Sequence, residues 1–130
     1  MVKIAICDDE TEFLDILSES LSSWCRAHQL TLQLYRFTNG DELISAHRAY
    51  GMDLILLDIQ MPDMNGLQML KEARERGSMT KVVILTAYSD FDYAKKAIAL
   101  GIENYLLKPV NLTELKNTLS KIKEEIFVEQ

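Results

Sequence analysis

The stretch LILLDIQMPDMNG, residues 54–66, constrains this chain more than any other. Four apolar residues, Leu54 to Leu57, run into a single carboxylate, Asp58, and a turn follows at Pro62 and Asn65-Gly66. An unbroken apolar run bounded by turn residues predicts a strand buried on both faces, as in a parallel sheet. The last residue of such a strand projects into the crevice at the sheet's carboxyl edge, where open α/β folds bind ligands. A lone Asp in that position is also an ordinary turn former or helix cap. Its meaning depends on what converges on it.

Five strand signals alternate with five helix signals along the chain. Lys3-Ile4-Ala5-Ile6-Cys7 is the first strand, closed by Asp8-Asp9-Glu10, and Thr11 can cap the helix that follows. Phe13, Leu14, Leu17, Leu21, Trp24 and Cys25 then recur at helical spacing. Leu32, Leu34 and Phe37 sit in a more polar run that suits an edge strand, and Asn39-Gly40 opens a short helix ending near Gly51. After the third strand, a helix turns Leu67, Leu70 and Ala73 inward and stops at Gly77.

Lys81 to Thr86 is the fourth strand. Ser89 or Asp90 can cap a fourth helix in which Ala94, Ala97 and Ile98 face the sheet. Asn104 to Leu107 is the fifth strand, ended by Lys108-Pro109. The last helix starts at Asn111 or Leu112 and carries Leu112, Leu115, Leu119, Ile122 and Ile126 on one seam. This is a single α/β domain over residues 1–130, a (βα)5 doubly wound parallel sheet covered by helices on both faces. Right-handed crossovers leave few layouts. The flavodoxin-like order 2-1-3-4-5 is expected, taken over from known doubly wound proteins rather than deduced from the residues.

In that order Asp8 and Asp9 end strand 1 beside Asp58 at the end of strand 3, roughly 5 to 8 Å apart. Two carboxylates at ~5 Å repel by about 3 kcal/mol at an effective dielectric near 20, so the group needs a cation or a shifted pKa. Taken singly, Asp9 or Glu10 would only favour a helix N-terminus. Taken together, the ligands on offer are all oxygens, which points to a hard cation, best Mg²⁺ (or Mn²⁺). Thr86 ends strand 4, and Lys108 ends strand 5 roughly 10 Å from Asp58, within reach of a lysine stem. Three acids, a hydroxyl and an ammonium are poor packing material but a good phosphoryl site, with Asp58 as nucleophile.

The motifs CDDE, LLDIQMPDMNG, ILTAY and YLLKPV, in that order and on those elements, resemble the receiver domain of a two-component response regulator. The resemblance covers essentially the whole chain. It implies that Asp58 is the phospho-acceptor and that Asp9 binds the metal directly, with Asp8 often acting through water. The backbone carbonyl of Gln60 would complete the protein ligands. It further implies that Lys108 pairs with Asp58 and later with the phosphoryl group, next to a cis bond at Pro109. Thr86 would be the switch hydroxyl and Tyr105 the aromatic switch position, although an aromatic there is equally ordinary strand filler. Gln60 and Tyr88 match positions that border the path of the attacking water and so modulate the lifetime of the phosphorylated state.

The implied partner is a sensor histidine kinase, within a two-component system or phosphorelay that controls transcription. A homodimer through the helix 4–strand 5–helix 5 face is also implied. Tyr88, Phe91 and Tyr93 would contribute to a contact surface near that helix, and the run YSDFDYAKKAI resembles receivers joined to AraC-type DNA-binding domains. A net charge of −6 argues against nucleic acid or an anionic membrane as this domain's own partner. No apolar run approaches a membrane span, and no signal peptide precedes the first strand. Cys7 and Cys25 read as buried free thiols of a reducing compartment, so a cytoplasmic protein is expected, and the resemblance implies a signalling switch rather than a turnover enzyme. Met52, Met61, Met64, Met69 and Met79 read as core filler.

Two rivals share parts of this pattern. A haloacid-dehalogenase-type, Mg²⁺-dependent phosphatase also uses an Asp nucleophile, but wants a second acid where Gln60 stands and usually needs a cap insertion. A flavodoxin needs a phosphate loop rich in hydroxyls and amides where this chain has Asp8-Asp9-Glu10.

Overall fold

The computed structural model describes residues 1–58, 66–78, 80–87 and 91–127. Strands β1 (Val2–Cys7), β2 (Leu32–Phe37), β3 (Leu54–Asp58), β4 (Lys81–Thr86) and β5 (Asn104–Leu107) alternate with helices along the chain. The helices are α1 (Thr11–Ala27), α2 (Gly40–Tyr50), α3 (Gly66–Glu75), α4 (Phe91–Ala99) and α5 (Leu112–Phe127). All strand pairs are parallel, in the order β2-β1-β3-β4-β5. The more polar β2 is an edge strand, as its composition predicts.

Within the continuous apolar runs, alternate residues serve opposite faces. Val2, Ile4 and Ile6 of β1, Leu54 and Leu56 of β3, and Val83 and Leu85 of β4 pack with α1 and α5. Ala5, Cys7, Ile55, Leu57, Val82 and Ile84 pack with α2, α3 and α4. Neither cysteine forms a disulfide and both are buried, and Met52 and Met69 are buried core residues. Met61, Met64 and Met79 lie outside the described residues.

Local chemistry explains most boundaries. Asn39 caps α2 by accepting the Glu42 N–H at 2.9 Å, and Gly51 ends that helix at φ 70°, in the left-handed region that favours glycine. Asn111 caps α5, accepting the Thr113 and Glu114 N–H groups. Ser89 and Asp90, the expected caps of α4, lie outside the described residues.

Four expectations need correction. Thr11 does not cap α1; it is the first helical residue, and the cap position is Glu10, whose carbonyl accepts the Phe13 and Leu14 N–H groups. Ile98 does not face the sheet but is 64% exposed, whereas Ala97 is fully buried. Tyr93, expected on a contact surface, instead packs inward beside Ala97. The last two share one cause: Tyr93 and Ala97 are four residues apart and stack on one helix face, while Ile98 is turned about 100° from Ala97. Leu112 opens α5 and is 44% exposed, so the buried seam is Leu115, Leu119 and Ile122. The side chain of Ile126 lies outside the described residues.

Candidate functional site

The register sets the positions at the carboxyl edge. Cys7 lies opposite Leu57, so Asp8 leaves β1 beside Asp58 at the end of β3. The Asp8 N–H donates to the Phe37 carbonyl at 3.1 Å, which extends the β1–β2 pairing by one residue. Asp8 and Asp58 continue the alternation of Ile6 and Leu56, and Lys108 continues that of Leu106, so all three aim toward the α1–α5 side. The Lys108 N–H donates to the Thr86 carbonyl at 2.7 Å, which carries the β4–β5 pairing to the edge. The Lys108–Pro109 peptide bond is cis.

The Lys108 ammonium is the centre of the cluster. It lies 2.7 Å from Asp8 Oδ2, 3.1 Å from Asp58 Oδ2 and 3.8 Å from Glu10 Oε1. Asp8 and Asp58 are buried, at 1% and 4% exposure, and Thr86 beside them is at 0%. Burial works against the lysine's charge. Hydrogen bonds to Asp8 and Asp58, with the fields of both carboxylates, outweigh it and hold the Lys108 pKa above the ordinary lysine value. The ammonium also sits 4.4 Å from the centroid of the Phe13 ring, a cation–π contact from the first turn of α1.

The acidic turn has its own order. Asp8 Oδ1 accepts the Glu10 N–H at 2.8 Å, a bond that reverses the chain from β1 into α1 and aims the side chain. Carboxylate oxygens of Asp8, Asp9 and Glu10 all lie within 4.8 Å of one another. Such a set of hard oxygen donors, facing an edge where an ammonium already supplies counter-charge, fits a hard divalent cation. Glu10 was legible as part of the acidic turn but not as a member of this group. Phe13 was legible only as one of the apolar residues of α1. Gln60 and Tyr88 lie outside the described residues. Tyr105 is partly buried and packs with Tyr93 on the α2–α4 side.

No helix among the described residues is long and apolar enough to cross a membrane. Residues 4–120 match the response regulator receiver domain. A response regulatory protein of Staphylococcus epidermidis is 34% identical over 127 residues, covering 98% of this chain and 49% of that protein. The transcriptional regulatory protein HptR of Staphylococcus aureus is 32% identical over 130 residues, covering 100% of this chain and 50% of the regulator. The chain therefore spans about half the length of the curated relatives it matches. The crystal structure of the N-terminal domain of a Wolinella succinogenes protein superposes with a TM-score of 0.87 at 28% identity, each chain covered in full (100%). Matched over nearly its whole length and carrying that sheet order, this chain belongs to the response regulator receiver domain family.

Proposed function

We propose that this domain is a phosphoryl-accepting signalling switch. One observation carries the reading: a single half-buried ammonium, Lys108, is shared by buried carboxylates from two adjacent strand ends, Asp8 and Asp58. A sensor histidine kinase presents a phosphohistidine, and an Asp58 carboxylate oxygen attacks the phosphorus in line. The P–N bond breaks, and its electron pair leaves with the imidazole nitrogen, which takes up a proton. Lys108 exchanges its carboxylate partner for the phosphoryl oxygens, and the Thr86 hydroxyl donates to another. Water later attacks the phosphorus, the P–O bond to the carboxylate breaks, and inorganic phosphate leaves.

Asp8, Asp9 and Asp58, with the Gln60 backbone carbonyl, would hold Mg²⁺ (or Mn²⁺), which offsets charge on the phosphoryl oxygens when bound. Glu10, whose carboxylate lies within 4.8 Å of those of Asp8 and Asp9, would add a further hard oxygen donor to that set. Phosphorylation adds about −1.5 to −2 charges beside Thr86 and Lys108, and biases an existing inactive–active equilibrium in which Tyr105 follows Thr86. Exposed Ile98 and Leu107 on α4 and β5 support a face for a second copy of the chain. The net charge of −6 favours transcriptional control through an output domain or partner rather than by direct DNA contact. A cytoplasmic location for this domain fits its two buried cysteines, neither of which forms a disulfide.

The experiment is labelling with acetyl phosphate or phosphoramidate in Mg²⁺, read by intact mass. Wild type should gain one acid-stable, base-labile phosphoryl group and Asp58→Asn none. Equal labelling of both would refute Asp58 as acceptor.

A further inference from the structure

The amino edge of the sheet holds a second set of polar groups that the phosphoryl chemistry does not use. A crevice of ≈ 330 Å³ opens between α2 and α3, at the low end of the range for small-molecule sites. Its apolar wall is Ile44, Met52, Met69 and Ala73, and its polar rim includes His47, Arg48, Glu72, Arg76, Ser78 and Thr80. Met52 and Thr80 precede β3 and β4, so the crevice lies at the opposite end of these parallel strands from Asp58. At ~3.3 Å per residue that separation is roughly 20 Å.

The rim carries two guanidiniums and one carboxylate. Arg48 pairs with Glu72, and Arg76 approaches the same Glu72 oxygen at 3.8 Å, longer than a hydrogen bond. A guanidinium has five N–H donors, so one shared carboxylate oxygen leaves most of the fork donors of both arginines to solvent. The local field is positive although the chain as a whole is at −6. Burial first, then the fields of Arg76 and Arg74, holds the His47 pKa below its ordinary value.

A hydroxyl relay closes the inner end. Thr80 Oγ1 donates to the Met52 carbonyl at 2.9 Å, and Ser78 Oγ donates to Thr80 Oγ1 at 3.0 Å. The Ser78 proton is thereby used, so His47 Nε2, at 3.1 Å, is the donor to Ser78 Oγ, and the imidazole is neutral with its proton on Nε2. Both hydroxyls are paired within the relay, whereas His47 Nδ1 is buried with no hydrogen-bond partner among the described residues. The site thus has an apolar wall and a cationic mouth.

We propose that this crevice binds a small organic carboxylate, its apolar body against Met52, Met69, Ile44 and Ala73 and its carboxylate on Arg48 and Arg76. Glu72 occupies the arginines as an internal competitor and swings toward solvent when the ligand enters. Ser78 and Thr80 at the rim are tied by their carbonyls to Arg74, which also holds the Leu100 and Gly101 carbonyls at the end of α4. The site is therefore mechanically continuous with α4.

Benzoate is a suitable probe, with benzamide as its uncharged isostere and inorganic phosphate as a bare anion. Titrations are followed through the methyl resonances of Met52, Met69, Ala73 and Thr80 on the unphosphorylated protein. Benzoate should bind in the millimolar range, as a ligand of few atoms must, and shift these methyls. Arg76→Gln and Arg48→Gln should each weaken it about tenfold at an unchanged unfolding midpoint, and Glu72→Gln should tighten it severalfold. Equal shifts from benzamide would show that charge plays no part, and equal binding of phosphate would show a bare charge patch. Either result, or no methyl shift with benzoate, overturns the proposal. Labelling at Asp58 is scored separately and does not bear on the outcome.

Discussion

The Lys108 ammonium lies closer to Asp8, at 2.7 Å, than to Asp58, at 3.1 Å. The lysine therefore neutralises a buried carboxylate pair rather than one partner. Asp8 is additionally committed to the Glu10 N–H.

Removing that ammonium leaves two nearly buried carboxylates without their shared counter-charge. Lys108→Met should lower the stability by about 3 kcal/mol in metal-free buffer, the usual cost of stranding a buried charge. Mg²⁺ should recover part of the loss, because it supplies the missing charge at the same carboxylates. Urea denaturation with and without Mg²⁺ measures both effects. A variant as stable as wild type in metal-free buffer would mean that solvent, not Lys108, balances the pair.

Arg74 donates to four carbonyls, those of Ser78, Thr80, Leu100 and Gly101, and so staples the loop before β4 to the end of α4. Arg74→Ala should cost about 2–4 kcal/mol and increase hydrogen exchange at the Leu100 and Gly101 amides. Arg74→Lys should recover little, since a lysine cannot span four acceptors in two directions. Exchange unchanged at those amides in Arg74→Ala would count against the staple.

His47 is held neutral in the folded protein by burial and by the arginine fields, so its folded pKa is depressed. The unfolded chain takes up the proton first on acidification. The contribution of His47 is therefore full above the unfolded value of about 6.5, and is lost as pH falls from there through the folded pKa. Its charged neighbours are Arg48 on α2, Glu72 and Arg74 on α3, and Arg76 just after α3; of these only Glu72 favours protonation. Unfolding midpoints should drop between pH 7 and 5.5 in wild type and drop less in His47→Gln. Parallel curves for the two would show that His47 contributes nothing in this window.

The lifetime of the phosphorylated state is expected to be long, because neither Gln60 nor Tyr88 is a strong general base. The receiver resemblance implies that the ring of Tyr88 would partly cover the phosphoryl face, and on that proposal Tyr88→Ala should lose its phosphoryl group several times faster than wild type. Decay followed by intact mass, alongside each unfolding midpoint, separates shielding from packing. A drop in midpoint with an unchanged lifetime would assign Tyr88 to packing alone.

The sequence by itself determined the strands, their parallel pairing and the residues at each strand's end, while their order 2-1-3-4-5 was taken over from known doubly wound proteins. Apolar runs such as Leu54–Leu57 and Lys81–Thr86 state burial directly, and a period of two then assigns each residue to a face. Asp8, Asp58, Thr86 and Lys108 were legible for the same reason, since a strand's last residue has one place to go. Only the tertiary structure decided that Lys108 spans both Asp8 and Asp58 with the Phe13 ring beneath it, because a flexible four-carbon stem is aimed by what packs around it. It also decided the rotation of α4, where alanines flank Ala97 too weakly for pattern alone to choose between Tyr93 and Ile98. The crevice beside His47 is likewise a product of packing. Its walls come from α2, α3 and the segments before β3 and β4, residues that local sequence has no means of bringing together.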